Sequence, residues 1–299
     1  MGMRKSIFGV LLALLGSATL ADETSHPVTL WEVKGSSNSV YLLGSIHLLR
    51  PEDYPLPAAL DAAYDEAEVL IMEIDMDDMD PLAAQAAFTT YGVLHDEQTL
   101  QSLMGDALYK EALEAADVID IPLEMLSKTE PWYAAMTIEI MMLGRIGFDP
   151  SLGIEMYMLT KAQSDGKPIE GFETIEEQLQ FLDGMSLDAQ REMLVSTLTD
   201  SAELSTIMND MIDAWHRGDT ATLEAGMLDE LAQNEELNKV LVTDRNARWV
   251  EQINPLLDHS DDYLIVVGAL HLIGKEGVPM LLQRSGLEVQ QLSTPPSVR

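Results

Sequence analysis

Two short elements in this chain place a histidine three residues after a glycine at the end of an apolar run. Gly44-Ser45-Ile46-His47-Leu48 closes one run, and Gly268-Ala269-Leu270-His271-Leu272 closes another. Imidazole is the commonest metal ligand and a general base near neutral pH. The glycine lets the backbone turn tightly enough to aim the ring at a sheet edge. A single Gly-x-x-His reads more simply as a hydrogen-bonded turn; its repetition favours two histidines converging on one site. Glu73 is embedded in Val69-Leu70-Ile71-Met72-Glu73-Ile74. There a buried carboxylate needs a cation or hydrogen-bond donors, unless it lies at the strand end and faces water. Glu173, in Gly171-Phe172-Glu173-Thr174, is either a second site carboxylate or a helix-entry residue. Arg245 and Arg248, in Asp244-Arg245-Asn246-Ala247-Arg248-Trp249, could hold a carboxylate or stabilise an oxyanion. They could equally form surface pairs along a helix.

Positioning these residues requires strands that end at a common edge. Thr29 to Lys34 and Ser39 to Gly44 read as two strands joined by Gly35-Ser36-Ser37-Asn38. A helix follows over Pro57 to Glu66, rich in alanine, and then the Glu73 strand. The end of the chain repeats this order: strand Tyr263 to Val267, helix Gly277 to Ser285, strand Leu287 to Leu292. Between the halves, residues 81–257 have a mainly helical pattern, interrupted by a short strand over Lys167 to Phe172. The expected fold is α/β (α+β): two pseudo-repeated β-α-β halves form one central sheet, with a large mainly helical insertion. Open sheets of this kind bind ligands at the carboxyl ends of their strands, where both histidines fall.

The 299 residues include 51 acids, 17 bases and no cysteine. A formal charge of −34 repels phosphate backbones and anionic lipid, excluding nucleic acid as a partner. The absence of cysteine removes disulfides, thiolate metal sites and cysteine nucleophiles. His-Glu-x-x-His, Gly-x-Ser-x-Gly, Walker A and dinucleotide motifs are absent. The methionines read as flexible core filling, and Asp75 to Asp80 as a solvated loop.

Residues 1–21 combine Arg4 and Lys5, an apolar run from Ile7 and a small-residue end at Ala21. This is the pattern of a signal peptide, and the run is short for a bilayer span. It predicts a periplasmic protein with no membrane attachment after cleavage, and a single domain over residues 22–299. Without Arg4 and Lys5 the balance is 51 acids against 15 bases, or −36.

Taken in order, these features resemble the TraB/GumN family, related to the Tiki metalloproteases. The resemblance is carried by Leu30-Trp31-Glu32-Val33, both Gly-x-x-His elements, the Glu73 strand, and Lys167 to Thr174 with Glu176-Glu177-Gln178-Leu179. Arg245-Asn246-Ala247-Arg248-Trp249 and Gly277-Val278 complete it. It implies divalent-metal-dependent hydrolysis of a peptide or small protein substrate. His47, Glu73 and His271 match the metal-binding positions, and Glu173 and Arg245 other recurrent polar positions that would act in catalysis. With no sulfur ligand, Mn, Co or Zn would serve. Gly153-Ile154-Glu155 departs from the pattern, having Glu where Asp is expected, so Glu155 is left outside the expected site. The competing expectation is a non-catalytic protein that captures a peptide, haem or metal.

Overall fold

The computed structural model describes residues 26–199, 204–228, 231 and 234–294. The leader expected over residues 1–21 lies outside them.

Strands β1 (Pro27–Lys34) and β2 (Ser39–Ser45) form an antiparallel hairpin. Its turn is closed by Gly35 N–H on Asn38 O at 2.9 Å. The Asn38 side-chain amide donates to Leu256 O and Asp261 O, tying the turn to the approach of the later half. Helix α1 (Ala58–Glu66) then leads to β3 (Val69–Ile74). After the insertion come β5 (Tyr263–Gly268), a short helix at Val278–Arg284 and β6 (Val289–Ser293). β4 (Ile169–Glu173) is supplied from within the insertion.

The six strands lie in the order β4-β3-β5-β2-β1-β6. β1 is antiparallel to both neighbours, whereas the β4-β3, β3-β5 and β5-β2 pairings are parallel. The two halves are interleaved rather than set side by side: the β2-α1-β3 crossover strides over β5. β2 and β5 are buried along their whole lengths, as strands covered on both faces must be. Their apolar sequences supply Leu42, Leu43, Leu264, Ile265 and Val266 to the main core.

The insertion carries apolar centres of its own. Leu100, Tyr109, Ile138, Leu194 and Leu198 form one, and Trp132, Leu179, Met185 and Ala189 another. Against the main core, Trp215 donates its indole N–H to Gly44 O at 2.6 Å, fixing the backbone just before the first histidine. The acid loop after β3 is largely solvated. In it Asp75 accepts from the backbone of Asp77 and Asp78, while Asp80 caps the helix Pro81–Gly92.

Candidate active site

The parallel register pairs Ser45 with Gly268, so both Gly-x-x-His elements leave the sheet at the same edge. Glu73 near the end of β3 and Glu173 at the end of β4 extend that edge. In strand order the edge therefore presents Glu173, Glu73, Gly268 and His47.

His47 stands at the mouth with 61% of its side chain exposed. Its Nδ1 lies 2.7 Å from Glu155 Oε1, and the same oxygen accepts from Ser45 Oγ. Glu155 arrives because the helix Ile154–Asp165 starts against this turn, with Ile154 N–H bonded to Ile46 O at 3.1 Å. Glu155 thus joins the site from which the sequence pattern left it out. Its own ionised form is favoured: burial opposes ionisation, and His47 and Ser45 outweigh it. In return the Glu155 carboxylate raises the pKa of His47.

His271 is buried, and its Nδ1 lies 2.7 Å from Asn246 Oδ1. Asn246 Nδ2 donates to Glu276 O at 2.8 Å, which fixes the amide's orientation and leaves Oδ1 as the acceptor. His271 therefore carries its proton on Nδ1 and turns a lone pair on Nε2 toward Arg245 Nη1, 3.1 Å away. Burial pushes its pKa down to about 3, so the ring is neutral at ordinary pH.

Glu73 Oε1 accepts the Gly268 N–H at 2.7 Å, and Oε2 accepts Arg245 Nη2 at 2.6 Å and Gln178 Nε2 at 3.2 Å. Burial disfavours its charge; the Arg245 guanidinium, His47 and the Gly268 N–H outweigh that and hold the carboxyl far below its usual range. Arg245 also spans Glu173, with Nε at 3.1 and 3.0 Å from its two oxygens and Nη2 at 2.7 Å from Oε2. Leu241 O accepts Arg245 Nη1 at 3.3 Å from within a π-helical turn, Lys239–Thr243, just before the helix Asp244–Leu256. Such turns widen a helix and expose carbonyls to side chains.

Glu173 differs from its expected role. Arg245, Arg248, Trp249 Nε1 and Gln178 Nε2 all donate to it, and only 3% of its side chain is exposed. A carboxylate so saturated is an anchor for Arg245; the general-base role has no free oxygen to use. Nor is it the helix cap, because Thr174 fills that position in a capping box with Glu177. Glu155, Gln178 and Asn246 escaped sequence reasoning. Only Glu155 had a signal, its place after Gly153-Ile154.

Gly268 opens a hollow among these groups. A Cβ there would lie 3.3 Å from Glu73 Oε1, 3.5 Å from His47 Nε2 and 3.7 Å from His271 Cδ2. The donor chemistry around this hollow suits a divalent cation: two imidazoles engaged through Nδ1 and a carboxylate. Glu155 Oε2, buried and without a hydrogen-bond partner, adds an unspent oxygen to the same neighbourhood. Fit in donor type is not matched by spacing. Among the described residues, no group of three or more His, Asp or Glu side chains is placed to hold a metal ion. Arg245 occupies the contacts of both His271 and Glu73.

The fold and these residues define an open-sheet α/β protein with a histidine–glutamate–arginine centre at the carboxyl ends of its parallel strands. The chain belongs to the TraB/PrgY/gumN family, which it matches over residues 29–291. It is 25% identical over 244 residues to the uncharacterized protein YbaP of Escherichia coli (strain K12), covering 81% of this chain and 87% of that one. An uncharacterized protein of Treponema pallidum (strain Nichols) is 21% identical over 272 residues, covering 86% and 80% respectively. No solved structure matches the chain significantly.

Proposed function

We propose that this chain is a divalent-metal-dependent hydrolase acting on the carbonyl of a peptide. The observation that carries this reading is the hollow at Gly268, ringed by the two histidines and Glu73 beside Arg245. The peptide as substrate class comes from the resemblance to the Tiki metalloproteases, and a periplasmic location from the pattern of residues 1–21 alone.

His47, Glu73 and His271 would hold the cation, with Mn, Co or Zn suited to their nitrogen and oxygen donors. When bound, such an ion acidifies a water and polarises a carbonyl. The protein's own part is preorganisation. Asn246 and Glu155 engage the two Nδ1 atoms, which leaves Nε2 as the ligating nitrogen of each ring; binding would require Arg245 to release His271 Nε2 and His47 to give up its second proton. Arg245, clamped between Glu73 and Glu173, offsets the charge of both buried carboxylates and holds Glu73 in place beside the histidines. Gln178 donates to both carboxylates and keeps that clamp in register.

The test is the metal content of purified protein together with peptidase assays on wild type, His47→Ala and His271→Ala. Both variants should lose metal and cleavage. Unchanged metal content and activity in both would overturn the reading. Uptake of added haem, seen by absorption, without peptide cleavage would move the assignment to capture.

A further inference from the structure

Arg245 spends its donors on buried partners; Arg248, one turn further along the same helix, does not. Arg248 Nη2 donates to Glu173 Oε1 at 2.7 Å, its one hydrogen-bonded partner among the described residues. Its guanidinium lies over the Phe181 ring, 4.7 Å from the centroid. The side chain is 44% exposed. A guanidinium has five N–H donors in a rigid plane. Here one donor and one face are committed, so the plane is held while most of the fork faces outward. Other arginines in this acid-rich chain are spent differently: Arg50 on Asp53 and Asn209, Arg145 on two carbonyls.

We propose that Arg248 recognises a carboxylate on the substrate, making this site selective for peptides with an acid group near the bond it acts on. The proposal rests on the substrate lying along the strand ends, as the hydrolase reading has it. Glu173, to which Arg248 is fastened, ends β4, two strands from Gly268 on β5. Two strand spacings are about 10 Å, or about three residues of extended peptide. The carboxylate is thus a C-terminus or an acidic side chain within about three residues of the hollow. Because the chain as a whole repels anions, the preference must come from short charge-assisted hydrogen bonds to the fork.

The test compares equilibrium binding of two probe pairs to the full chain by calorimetry. One pair is acetyl-tetraalanine and its C-terminal amide. The other is an amidated alanine peptide with one internal glutamate, and its glutamine counterpart. Wild type should prefer the acid in at least one pair by roughly tenfold. A preference in the first pair alone locates the carboxylate at the terminus, and in the second alone on a side chain. Arg248→Gln should bring the ratio close to one. Arg248→Lys, which keeps the charge without the fork, should reduce it and serves if Arg248→Gln does not fold. Equal affinities within both pairs, no binding of any probe, or an undiminished ratio in the variants would overturn the proposal. Cleavage is scored separately in the same samples, so a binding preference without turnover counts against the hydrolase reading alone.

Discussion

The two histidines, alike in sequence, are set in opposite surroundings. His47 is exposed and backed by a carboxylate; His271 is buried and backed by an amide. Their glycines differ as well. The nearest atoms to a methyl on Gly268 would be the site's own side-chain atoms, at 3.3 Å or more, whereas one on Gly44 would lie 2.6 Å from Thr29 Cγ2 and 3.1 Å from Ala269 Cα. On the metal-binding proposal, Gly268→Ala should keep the fold with a slight retreat of the Glu73 carboxylate, yet lose metal binding by about tenfold or more, the scale of losses around metal sites. Gly44→Ala should lose about 1–3 kcal/mol of stability through overpacking, read as a lowered urea midpoint. Intact metal binding in folded Gly268→Ala would show that the hollow is not the ligand site. Protonation gives a second prediction. His271 titrates at about 3 in the folded chain, below its ordinary value of 6.5. The unfolded chain thus takes up a proton that the folded chain refuses, and stability falls as pH drops from 6.5 toward 3. His216, also lowered by burial, acts in the same direction. Glu73 and Glu155, both with lowered pKa, add to the loss only below their ordinary 4.5. With chelator present, denaturant midpoints should decline between pH 6.5 and 4.5, less steeply in His271→Gln. The same slope in that variant would contradict this account. Pattern alone found both histidines and Glu73, because repetition and an acid in an apolar run are local signals. Glu155 had only its place after Gly153-Ile154 to mark it, and its contact with His47, 108 positions away, was not legible; the amides of Gln178 and Asn246 carry no charge to draw notice.

At the scale of elements, one indole fastens the arginine-bearing helix to the sheet edge. The fully buried Trp249 stacks on Phe172 of β4 with centroids 5.5 Å apart, and touches the His271 ring at 4.4 Å. Its N–H donates to Glu173 at 3.2 Å, and the Arg245 guanidinium lies 4.7 Å from its ring centroid. Trp249→Phe should cost about 1–3 kcal/mol, from lost volume and a lost hydrogen bond to a buried charge. A cycle with Glu173→Gln should be non-additive by about 0.5 kcal/mol or more. Strict additivity, read from denaturant midpoints, would mean that the indole and carboxylate act independently. Element positions were largely readable, since apolar runs bounded by turns fix strands: β3 occupies Val69–Ile74, the run that predicts it. The π-helical turn before Arg245 was not readable. Nothing in Lys239-Val240-Leu241-Val242-Thr243 departs from ordinary helical sequence, and the distortion answers to the side chains packed around it.

For the whole molecule, a charge of −34 spread over the surface is self-repulsion that folding must overcome. Stability should rise from low salt to roughly 1 M, where the screening length falls to about 3 Å. A thermal midpoint indifferent to salt would mean that the acids are too dispersed to matter. Fold class was legible from the repeated strand–helix–strand order, but strand order was not. Sequence shows which strands exist; their ladders join residues as distant as Val40 and Tyr263, which no local pattern reports.

That order has a consequence for when the centre exists. β5 lies between β2 and β3, which have no ladder with each other, and it is encoded after most of the chain. A chain still emerging, or clipped before residue 263, carries His47, Glu73 and Glu173 without the strand that gathers them. The keystone arrives late, so no partly made chain holds the assembled centre. Whatever that centre binds or does would stay latent until the protein is whole.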